Sequence, residues 1–367
     1  MSTNQNRSNN QQYFMELALN QARIHLGNTG TNPSVGCVIT KKNTVISAEC
    51  TSLKGRPHAE YKAINSLKVK PRNAEIYITL EPCSNYGVTP PCTRKIIKNK
   101  FRKVFFSIND PDIRSFNKCF KLFKKKKIIV KKGLNFNKVN FFYRSYIKSK
   151  KSFLPFVTSK LAISKDYFTA SKKKEWITNV FSRLRGHLIR SSHDCVITSS
   201  KTILDDNSRL TCRIKGLEKR SPARIILDNK LKISLKSNII KDASKYRTII
   251  FYNRNNIKKI KKLKELKIKL VKIYLDIEGN LDLYDVLTNA KRLGFNRILL
   301  ESGQKLINNF FNQDLIDDFY LFQSENYLRK RGRYKMLDNL KLFLKNKKHY
   351  NEKVNLFGDN LIVYKVN

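Results

Sequence analysis

The pattern of apolar and polar positions divides the first part of the chain into alternating helices and strands. Apolar residues recur at helical spacing from Tyr13 to Leu26 and predict an amphipathic helix there. Short apolar runs predict strands at 36–40, 45–48, 76–80, 104–107 and 128–130, and helices are expected at 58–67 and from about Cys92. This alternation is typical of an α/β layered domain over roughly the first 145 residues.

A second set of alternating elements follows a basic stretch. The run Lys148-Ser149-Lys150-Lys151, with Pro155 beyond it, predicts a domain boundary. Strands are expected at 156–161, 195–198, 224–227, 248–251, 297–301, 318–322 and 360–366, and helices at 179–190, 257–266, 283–293 and 305–313. The 367 residues therefore divide into one α/β domain at 1–147 and a second at 152–367.

The charge of the chain is strongly one-sided. Its 75 lysines and arginines stand against 28 aspartates and glutamates, which gives a formal net charge of +47. Such basicity fits either nucleic-acid binding or a compositional drift that leaves solvated lysine faces. The basic residues are spread along the chain, so we interpret them as drift and expect no specific nucleic-acid partner. The positive field also favours an anionic substrate.

Membrane and secreted classes fit this sequence poorly. No apolar run reaches the roughly 18 residues that a membrane-spanning helix needs, and the polar start, Met1 to Gln12, has no secretory signal. Seven cysteines, an odd number, fit free or metal-bound thiols better than a disulfide framework. We therefore expect a cytoplasmic protein without membrane contact.

The clearest chemical signal lies in the first domain, where Pro57-His58-Ala59-Glu60 precedes Cys83 and Cys92. One imidazole and two thiolates form a three-ligand zinc site whose fourth position stays open for water. Zinc lowers the pKa of its bound water, and Glu60, which is beside His58 but is not a ligand, can carry protons to a leaving ammonia. We expect each cysteine near a helix start, where the helix dipole favours a thiolate.

The spacing of the two cysteines separates the candidate classes of protein. Most zinc nucleoside and base deaminases have a Cys-x-x-Cys spacing, whereas eight residues separate Cys83 from Cys92. A nucleic-acid deaminase, such as one that acts on tRNA adenosine, predicts the short spacing and leaves the second domain without a role. A non-enzymatic RNA-binding protein gives no reason to keep the metal-site residues together.

Further motifs occur in a fixed order through both domains. They are Asn32-Pro33-Ser34-Val35-Gly36-Cys37-Val38, Glu175-Trp176-Ile177-Thr178, Ser199-Ser200-Lys201-Thr202-Ile203-Leu204-Asp205-Asp206, Leu210-Thr211-Cys212-Arg213 and Glu301-Ser302-Gly303. With the long cysteine spacing and its tandem prolines, they make nearly the whole chain resemble the bifunctional riboflavin-biosynthesis deaminase/reductase family. That resemblance implies an α/β fold, with an N-terminal cytidine-deaminase-like three-layer domain and a C-terminal dihydrofolate-reductase-like domain.

The resemblance also implies two successive reactions. The first is the zinc-dependent hydrolytic deamination of 2,5-diamino-6-(5-phosphoribosylamino)pyrimidin-4-one, and the second is the NADPH-dependent reduction of its ribosyl group to ribityl. The implied cofactors are Zn²⁺ and NADPH, and the implied partner is a phosphorylated pyrimidine substrate. We also expect the chain to form a homo-oligomer.

By motif, the resemblance assigns roles to individual residues of both domains. The zinc ligands would be His58, Cys83 and Cys92, and the catalytic residues would be Glu60, Lys160, Asp206 and Glu301. The cofactor-binding positions would be Ala162, Trp176, Thr202, Asp206, Gly303, Gln304, Lys305 and Leu306. The substrate-binding positions would be Asn32, Lys174, Arg190, Leu210, Arg213 and Glu301. Two arginines suit a 5′-phosphate, because the guanidinium fork pairs with phosphate oxygens.

Several positions depart from the family pattern. Those that border the deaminase pocket lack the usual histidines or arginine: Thr51, Asn85, Tyr86 and Val88. In the second domain, Tyr167 replaces a usual glycine, Asn229 replaces a common serine, and the segment 324–333 loses most of the usual pattern. Drift accounts for these departures, and so does the loss of one activity. The alternative expectation is therefore a chain that retains only one of the two reactions.

Overall fold

The computed structural model describes residues 2–173, 175–254 and 256–367. The chain forms two compact units, one that ends at Ser152 and one that runs from Phe153 to Asn367. Among the described residues, no helix has both the length and the apolar character that a bilayer crossing requires.

The first unit is a five-stranded sheet with helices. Its strands are β1 (Gly36–Lys41), β2 (Thr44–Cys50), β3 (Glu75–Leu80), β4 (Lys103–Ile108) and β5 (Ile129–Lys132). Its helices are α1 (Ser2–Ile24), α2 (Ala59–Asn65), α3 (Cys92–Lys98), α4 (Cys119–Lys125), α5 (Phe136–Phe142) and α6 (Arg144–Lys151). The strand order is β2-β1-β3-β4-β5, with β1 antiparallel to β2 and β3. Strands β3, β4 and β5 run parallel, which brings their carboxyl ends to one edge.

Alternate residues of the central strands face opposite sides of this sheet and produce two apolar layers. On one side, Ile76 and Ile78 belong to the larger apolar cluster. On the other side, the rings of Tyr77 and Phe105 stack with their centroids 4.4 Å apart, and Phe14 of α1 packs against Tyr77. Because successive strand side chains alternate in direction, both faces are apolar and both are covered. The predicted three-layer architecture is confirmed.

The second unit is built on a nine-stranded sheet. Its strands are β6 (Phe156–Ile163), β7 (Phe168–Ser171), β8 (Cys195–Ser199), β9 (Ala223–Leu227), β10 (Thr248–Tyr252), β11 (Lys269–Lys272), β12 (Arg297–Leu300), β13 (Asp318–Gln323), β14 (Gly332–Lys335), β15 (His349–Asn351) and β16 (Asn360–Lys365). Its helices are α7 (Val180–Ser191), α8 (Ser200–Asp206), α9 (Asn238–Lys241), α10 (Ile257–Glu265), α11 (Leu283–Arg292), α12 (Gln304–Asn312) and α13 (Asp338–Lys345). The order in the large sheet is β11-β10-β9-β8-β12-β6-β13-β16-β15, and β7 pairs with β14 in a small separate sheet.

The strands from β11 to β13 run parallel, while β15 and β16 are antiparallel additions at one edge. Both faces of the sheet are apolar: Ile225 belongs to the cluster on one face and Ile226 to the cluster on the other. Parallel sheets are buried on both faces in this way. In open α/β sheets, ligands bind outside the carboxyl ends of the strands, which here are the ends of β6, β8 and β12.

The predicted strands and helices are confirmed within a few residues, except that α1 begins at Ser2 rather than at Tyr13. The lysine run at 148–151 was expected in a boundary, and it forms the last turn of α6; the first unit ends directly after it. Sequence analysis missed short elements without a clear apolar period, among them α5, α8, α13 and the edge strands β11 and β15.

Candidate active sites

Three side chains of the first unit meet where two helices begin. The ligand atoms of His58, Cys83 and Cys92 all lie within 4.8 Å of one another. Nδ1 of His58 is 3.7 Å from Sγ of Cys83 and 3.4 Å from Sγ of Cys92. His58 is the N-cap residue of α2, and Cys92 is the first residue of α3. The donor set of one imidazole and two thiols fits Zn²⁺, with a fourth position open.

The two cysteine thiols meet at one helix start, as expected. Cys92 is the first residue of α3, and Cys83 lies in the loop after β3. The backbone N–H of Cys92 donates to Sγ of Cys83 over 3.2 Å, so this sulfur also lies at the N-terminus of α3. The Cys92 thiol, His58 and this N–H lower the pKa of Cys83 to about 4, and the resulting thiolate raises the pKa of Cys92. Direct hydrogen bonds and the helix N-terminus therefore both favour a thiolate at Cys83.

Glu60 lies in the first turn of α2, two residues after His58, and is 4% exposed. Burial raises the pKa of its carboxyl group, because removal from water disfavours the charged form. A carboxylate with a raised pKa beside a metal-ligand set is suited to exchange protons near neutral pH.

These residues line a cavity of about 120 Å³. His58, Glu60 and Cys83 form part of its wall together with Asn32, whose side chain donates to the Gly55 carbonyl oxygen over 3.2 Å. Three cationic side chains also line it, and they are Arg56, Arg114 and Lys150. A polar cavity with convergent ionisable groups is the expected form of a small-molecule site.

The positions that depart from the family pattern lie around this cavity. Thr51 and Asn85 line it, and Asn85 accepts a hydrogen bond of 2.6 Å from Ser115. Tyr86 and Val88 are exposed. The departures therefore change the rim of the cavity, whereas the three ligands and Glu60 are intact.

Sequence analysis missed Glu81, a buried acid that organises the cavity wall. Its carboxylate accepts hydrogen bonds from Asn109 Nδ2 at 2.9 Å and from the backbone N–H groups of Asp110, Asn117 and Cys119. Glu81 thereby holds the loop after β4 against the end of β3. The available signal was its position, directly before Pro82 and Cys83.

In the second unit, Lys160 in the middle of β6 lies beside Glu301, which directly follows β12. Ser159 pairs with Leu300 in the parallel ladder, so the residues that follow them are neighbours. Arg190 of α7 pairs bidentately with Glu301, with Nε–Oε1 at 2.6 Å and Nη2–Oε2 at 2.8 Å. Burial alone would raise the pKa of Glu301, but Arg190 and Lys160 lower it to about 2. Burial lowers the pKa of Lys160, and the Glu301 charge opposes that effect.

The expected cofactor positions meet in part beside this cluster. The Thr202 hydroxyl is 3.1 Å from that of Ser302 and accepts the Gly303 N–H over 3.3 Å. Gly303 is the N-cap residue of α12. Gln304 donates to the Lys335 carbonyl oxygen over 2.8 Å, Lys305 is exposed, and Leu306 packs against the core.

The remaining predicted residues lie further from these contacts or outside the described chain. Asp206 ends α8, one turn after Thr202, and is exposed. Trp176 is 74% exposed, with the Arg183 guanidinium 4.9 Å from its ring centroid. Ala162 is partly buried on β6. Lys174 lies outside the described residues.

Three further positions of the second unit differ in burial and backbone conformation. Leu210 is 3% exposed with φ of +55°, and Arg213 is exposed. Tyr167 has φ of +68°, a left-handed conformation that a glycine adopts without steric strain. Sequence analysis gave no role to His187, a buried histidine that lies between Arg190 and the loop at 210–213.

Comparison with known proteins gives matches to both units. The sequence model "Cytidine and deoxycytidylate deaminase zinc-binding region" matches residues 8–108. The model "RibD C-terminal domain" matches residues 155–325.

Full-length relatives match as well. Riboflavin biosynthesis protein RibD of Bacillus amyloliquefaciens is 31% identical over 85% of this chain and 84% of that protein. Its counterpart in Chlamydia trachomatis is 30% identical over 93% of this chain and 91% of that protein.

Solved structures agree with these matches. A deaminase/reductase from Thermotoga maritima, described as a diaminohydroxyphosphoribosylaminopyrimidine deaminase/5-amino-6-(5-phosphoribosylamino)uracil reductase, superposes with a TM-score of 0.83 at 26% identity, over 98% of this chain and 100% of that chain. RibD of Acinetobacter baumannii gives a TM-score of 0.83 at 25% identity, with the same two coverages. This chain, with a deaminase domain and a reductase domain, belongs to the RibD family of riboflavin biosynthesis proteins.

Proposed function

We propose that this protein catalyses two successive steps of riboflavin biosynthesis. The first unit deaminates 2,5-diamino-6-(5-phosphoribosylamino)pyrimidin-4-one, and the second reduces the ribosyl group of the product to ribityl with NADPH. The observation that carries the proposal is the cluster of His58, Cys83 and Cys92 next to a cavity that Glu60 also lines, in a chain of the RibD family.

In the deaminase, Zn²⁺ held by the three ligands would activate water for attack on the ring carbon that bears the amino group. Glu60 takes a proton from that water and delivers it to the departing nitrogen, which leaves as ammonia. Its buried setting raises its pKa, so that the carboxyl group both accepts and releases a proton. Asn32 on the cavity wall is placed to hold the pyrimidine.

In the reductase, NADPH would supply the hydride that adds to the sugar carbon. Lys160 of β6 and Glu301 after β12 are neighbours and would polarise the sugar. The first turn of α12 after Gly303 presents backbone N–H groups, which suit a cofactor phosphate. Arg213, on the loop after α8, suits the 5′-phosphate.

Two alternatives are weaker. A tRNA-type deaminase leaves the second unit, a RibD C-terminal domain, without a role. Retention of a single activity would be expected if the departures removed a metal ligand, Glu60 or the Arg190–Glu301 pair. All of these residues are present.

We also propose that the protein acts in the cytoplasm as a homo-oligomer. The described residues include all seven cysteines, and none of these is joined in a disulfide, as suits a reducing compartment. The basic surface is proposed to have no specific nucleic-acid partner. Light scattering of the purified protein measures the oligomeric state. Binding of an unrelated RNA at increasing salt concentration tests whether any nucleic-acid binding is non-specific, since non-specific binding weakens steeply as counterions compete.

The test of the proposed function is an assay of the purified protein with the diaminopyrimidine ribotide, with and without NADPH. We expect ammonia release under both conditions and NADPH oxidation that depends on the deaminated product. Ammonia release without any NADPH oxidation would show that only the deaminase is retained, and oxidation of supplied deaminated substrate alone would show the reverse.

A further inference from the structure

Helix α7 carries a buried histidine next to two arginines of the reductase site. His187 precedes Arg190 by three residues, so both side chains lie on one face of the helix. The His187 side chain is 7% exposed, and its Nδ1 lies 3.0 Å from the carbonyl oxygen of Thr211. Nη1 of Arg190 lies 3.2 Å from the same oxygen. Two side chains from one helix face therefore converge on one backbone carbonyl.

That carbonyl belongs to the loop that carries Arg213. Leu210 holds a φ of +55°, a conformation that non-glycine residues rarely adopt. Leu210, Thr211 and Cys212 are all buried, whereas the side chain of Arg213 is exposed. A loop in a disfavoured conformation needs partners outside itself to hold it, and His187 and Arg190 supply them through Thr211.

The two arginines are not equivalent toward an anion. The guanidinium of Arg190 is occupied by both carboxylate oxygens of Glu301. Within the described ranges, Arg213 takes part in no ion pair. An incoming phosphate would therefore meet the uncompensated charge of Arg213, and its binding depends on where the loop places that side chain.

His187 is uncharged at neutral pH. Burial, with Arg190 and Arg213 close by, lowers its pKa to about 4. The neutral imidazole adds no further charge beside Arg213. Its Nδ1 contacts the loop at two places, the Thr211 carbonyl oxygen at 3.0 Å and the backbone nitrogen of Arg213 at 3.4 Å.

We propose that His187 is a positioning residue of the reductase, which holds the Thr211 carbonyl so that Arg213 faces the 5′-phosphate of the sugar substrate. This inference rests on the proposed reductase function. His187 acts on substrate binding through the loop and has no part in hydride transfer.

The test compares His187→Leu, which removes the ring nitrogen that contacts the loop, with His187→Gln, which keeps a polar side chain of similar reach. For His187→Leu we expect KM for the phosphorylated substrate to rise about tenfold, the equivalent of one hydrogen bond. We expect kcat and KM for NADPH to stay within a factor of about two, and His187→Gln to recover most of the loss.

His193→Leu is the matched control. His193 is also buried, and its Nδ1 bonds to the Ile189 carbonyl oxygen at 2.7 Å, away from the loop. We expect the KM of His193→Leu for the phosphorylated substrate to stay at the wild-type value. If His187→Leu does not fold, His187→Asn replaces it, because asparagine is too short to reach Thr211.

A second readout needs no turnover. Calorimetric titration with ribose 5-phosphate should show binding that weakens in His187→Leu and in Arg213→Gln, while ribose alone shows no difference. Equal KM increases in the leucine and glutamine variants, or ribose 5-phosphate binding insensitive to both substitutions, would overturn the inference. A wild type that binds ribose 5-phosphate in a His187-dependent way but never oxidises NADPH would contradict the proposed reductase function and leave the positioning role supported.

Discussion

The first unit draws its metal-ligand set from one short stretch of chain, whereas the second draws its charged cluster from distant elements. His58 and Cys92 are 34 residues apart, and both stand at the beginning of helices that pack against each other. Arg190 and Glu301 are 111 residues apart and meet only because β8 and β12 are neighbours in the large sheet. A metal restricts its ligands to a few residue types, so the first arrangement leaves a legible motif. Ion pairs form between the charged residue types that are commonest on protein surfaces. The second arrangement therefore leaves no such motif in the sequence.

The carboxylates of the two sites also differ in their electrostatic state. Burial raises the pKa of Glu60, which leaves it able to exchange a proton. Arg190 and Lys160 more than offset the effect of burial on Glu301 and lower its pKa to about 2, so that it stays ionised at neutral pH. The first carboxylate is suited to move a proton, and the second to hold a charge in place. Substitutions at the two sites should therefore have different signatures.

The largest effect is expected from loss of a zinc ligand. Cys92→Ser should reduce bound zinc from one per chain to none and abolish ammonia release, because two ligands hold the metal weakly. Elemental analysis measures the metal, and Cys119→Ala, at another buried cysteine of the same unit, is the control that should keep it. Wild-type protein purified without chelators that carries no stoichiometric zinc would contradict the assignment.

Glu60→Gln should separate metal binding from proton transfer. We expect zinc to stay bound and ammonia release to fall about 10²–10⁴-fold, the usual contribution of a general acid–base group. NADPH oxidation with already-deaminated substrate should be unchanged, since Glu60 lies in the other unit. Asp206→Asn should give the reverse pattern. Loss of reduction in a folded Glu60→Gln protein would mean that the two sites are not independent.

Glu301→Gln should destabilise the second unit by about 3 kcal/mol, because it leaves a partly buried guanidinium without its carboxylate. A carboxyl group with a folded-state pKa of about 2 stabilises the protein above its unfolded-state pKa of about 4.3. That stabilisation is lost as the pH falls from about 4.3 toward 2. Urea unfolding should therefore show that the free energies of unfolding of wild type and variant differ less at pH 3 than at pH 7. An equal difference at both pH values would show that the Arg190–Glu301 pair does not set the pKa of Glu301.

The smallest effect is expected at Tyr167, where the left-handed backbone conformation costs a non-glycine residue about 1–2 kcal/mol. Tyr167→Gly should relieve that strain and raise the stability of the second unit by about 1 kcal/mol, after loss of the contact between its ring and Lys341. Thermal unfolding measures the change, with Tyr167→Phe as the control that keeps the strain. A glycine variant less stable than the phenylalanine variant would show that the ring contacts outweigh the backbone strain.

Much of the fold was predictable because it follows from local periodicity. The strand at 76–80 and its neighbours alternate or run apolar, and the helices at 283–293 and 305–313 repeat at helical spacing. The segments at 200–206 and 136–142 were missed, since neither has a clear apolar stripe and both form short helices in their tertiary setting. The lysine run at 148–151 was likewise expected in a boundary, although it is helical.

The predicted zinc-ligand set, and the place of Glu60 beside it, follow from residue types and short spacings along the chain alone. The sequence gives Arg190 and Arg213 the same expected role, as two cations for one phosphate. The tertiary structure shows that Arg190 is paired with Glu301, that Arg213 is exposed, and that His187 lies between them. The physical reason is that charge pairing depends on distance in space, and the order of parallel strands sets that distance for residues far apart along the chain.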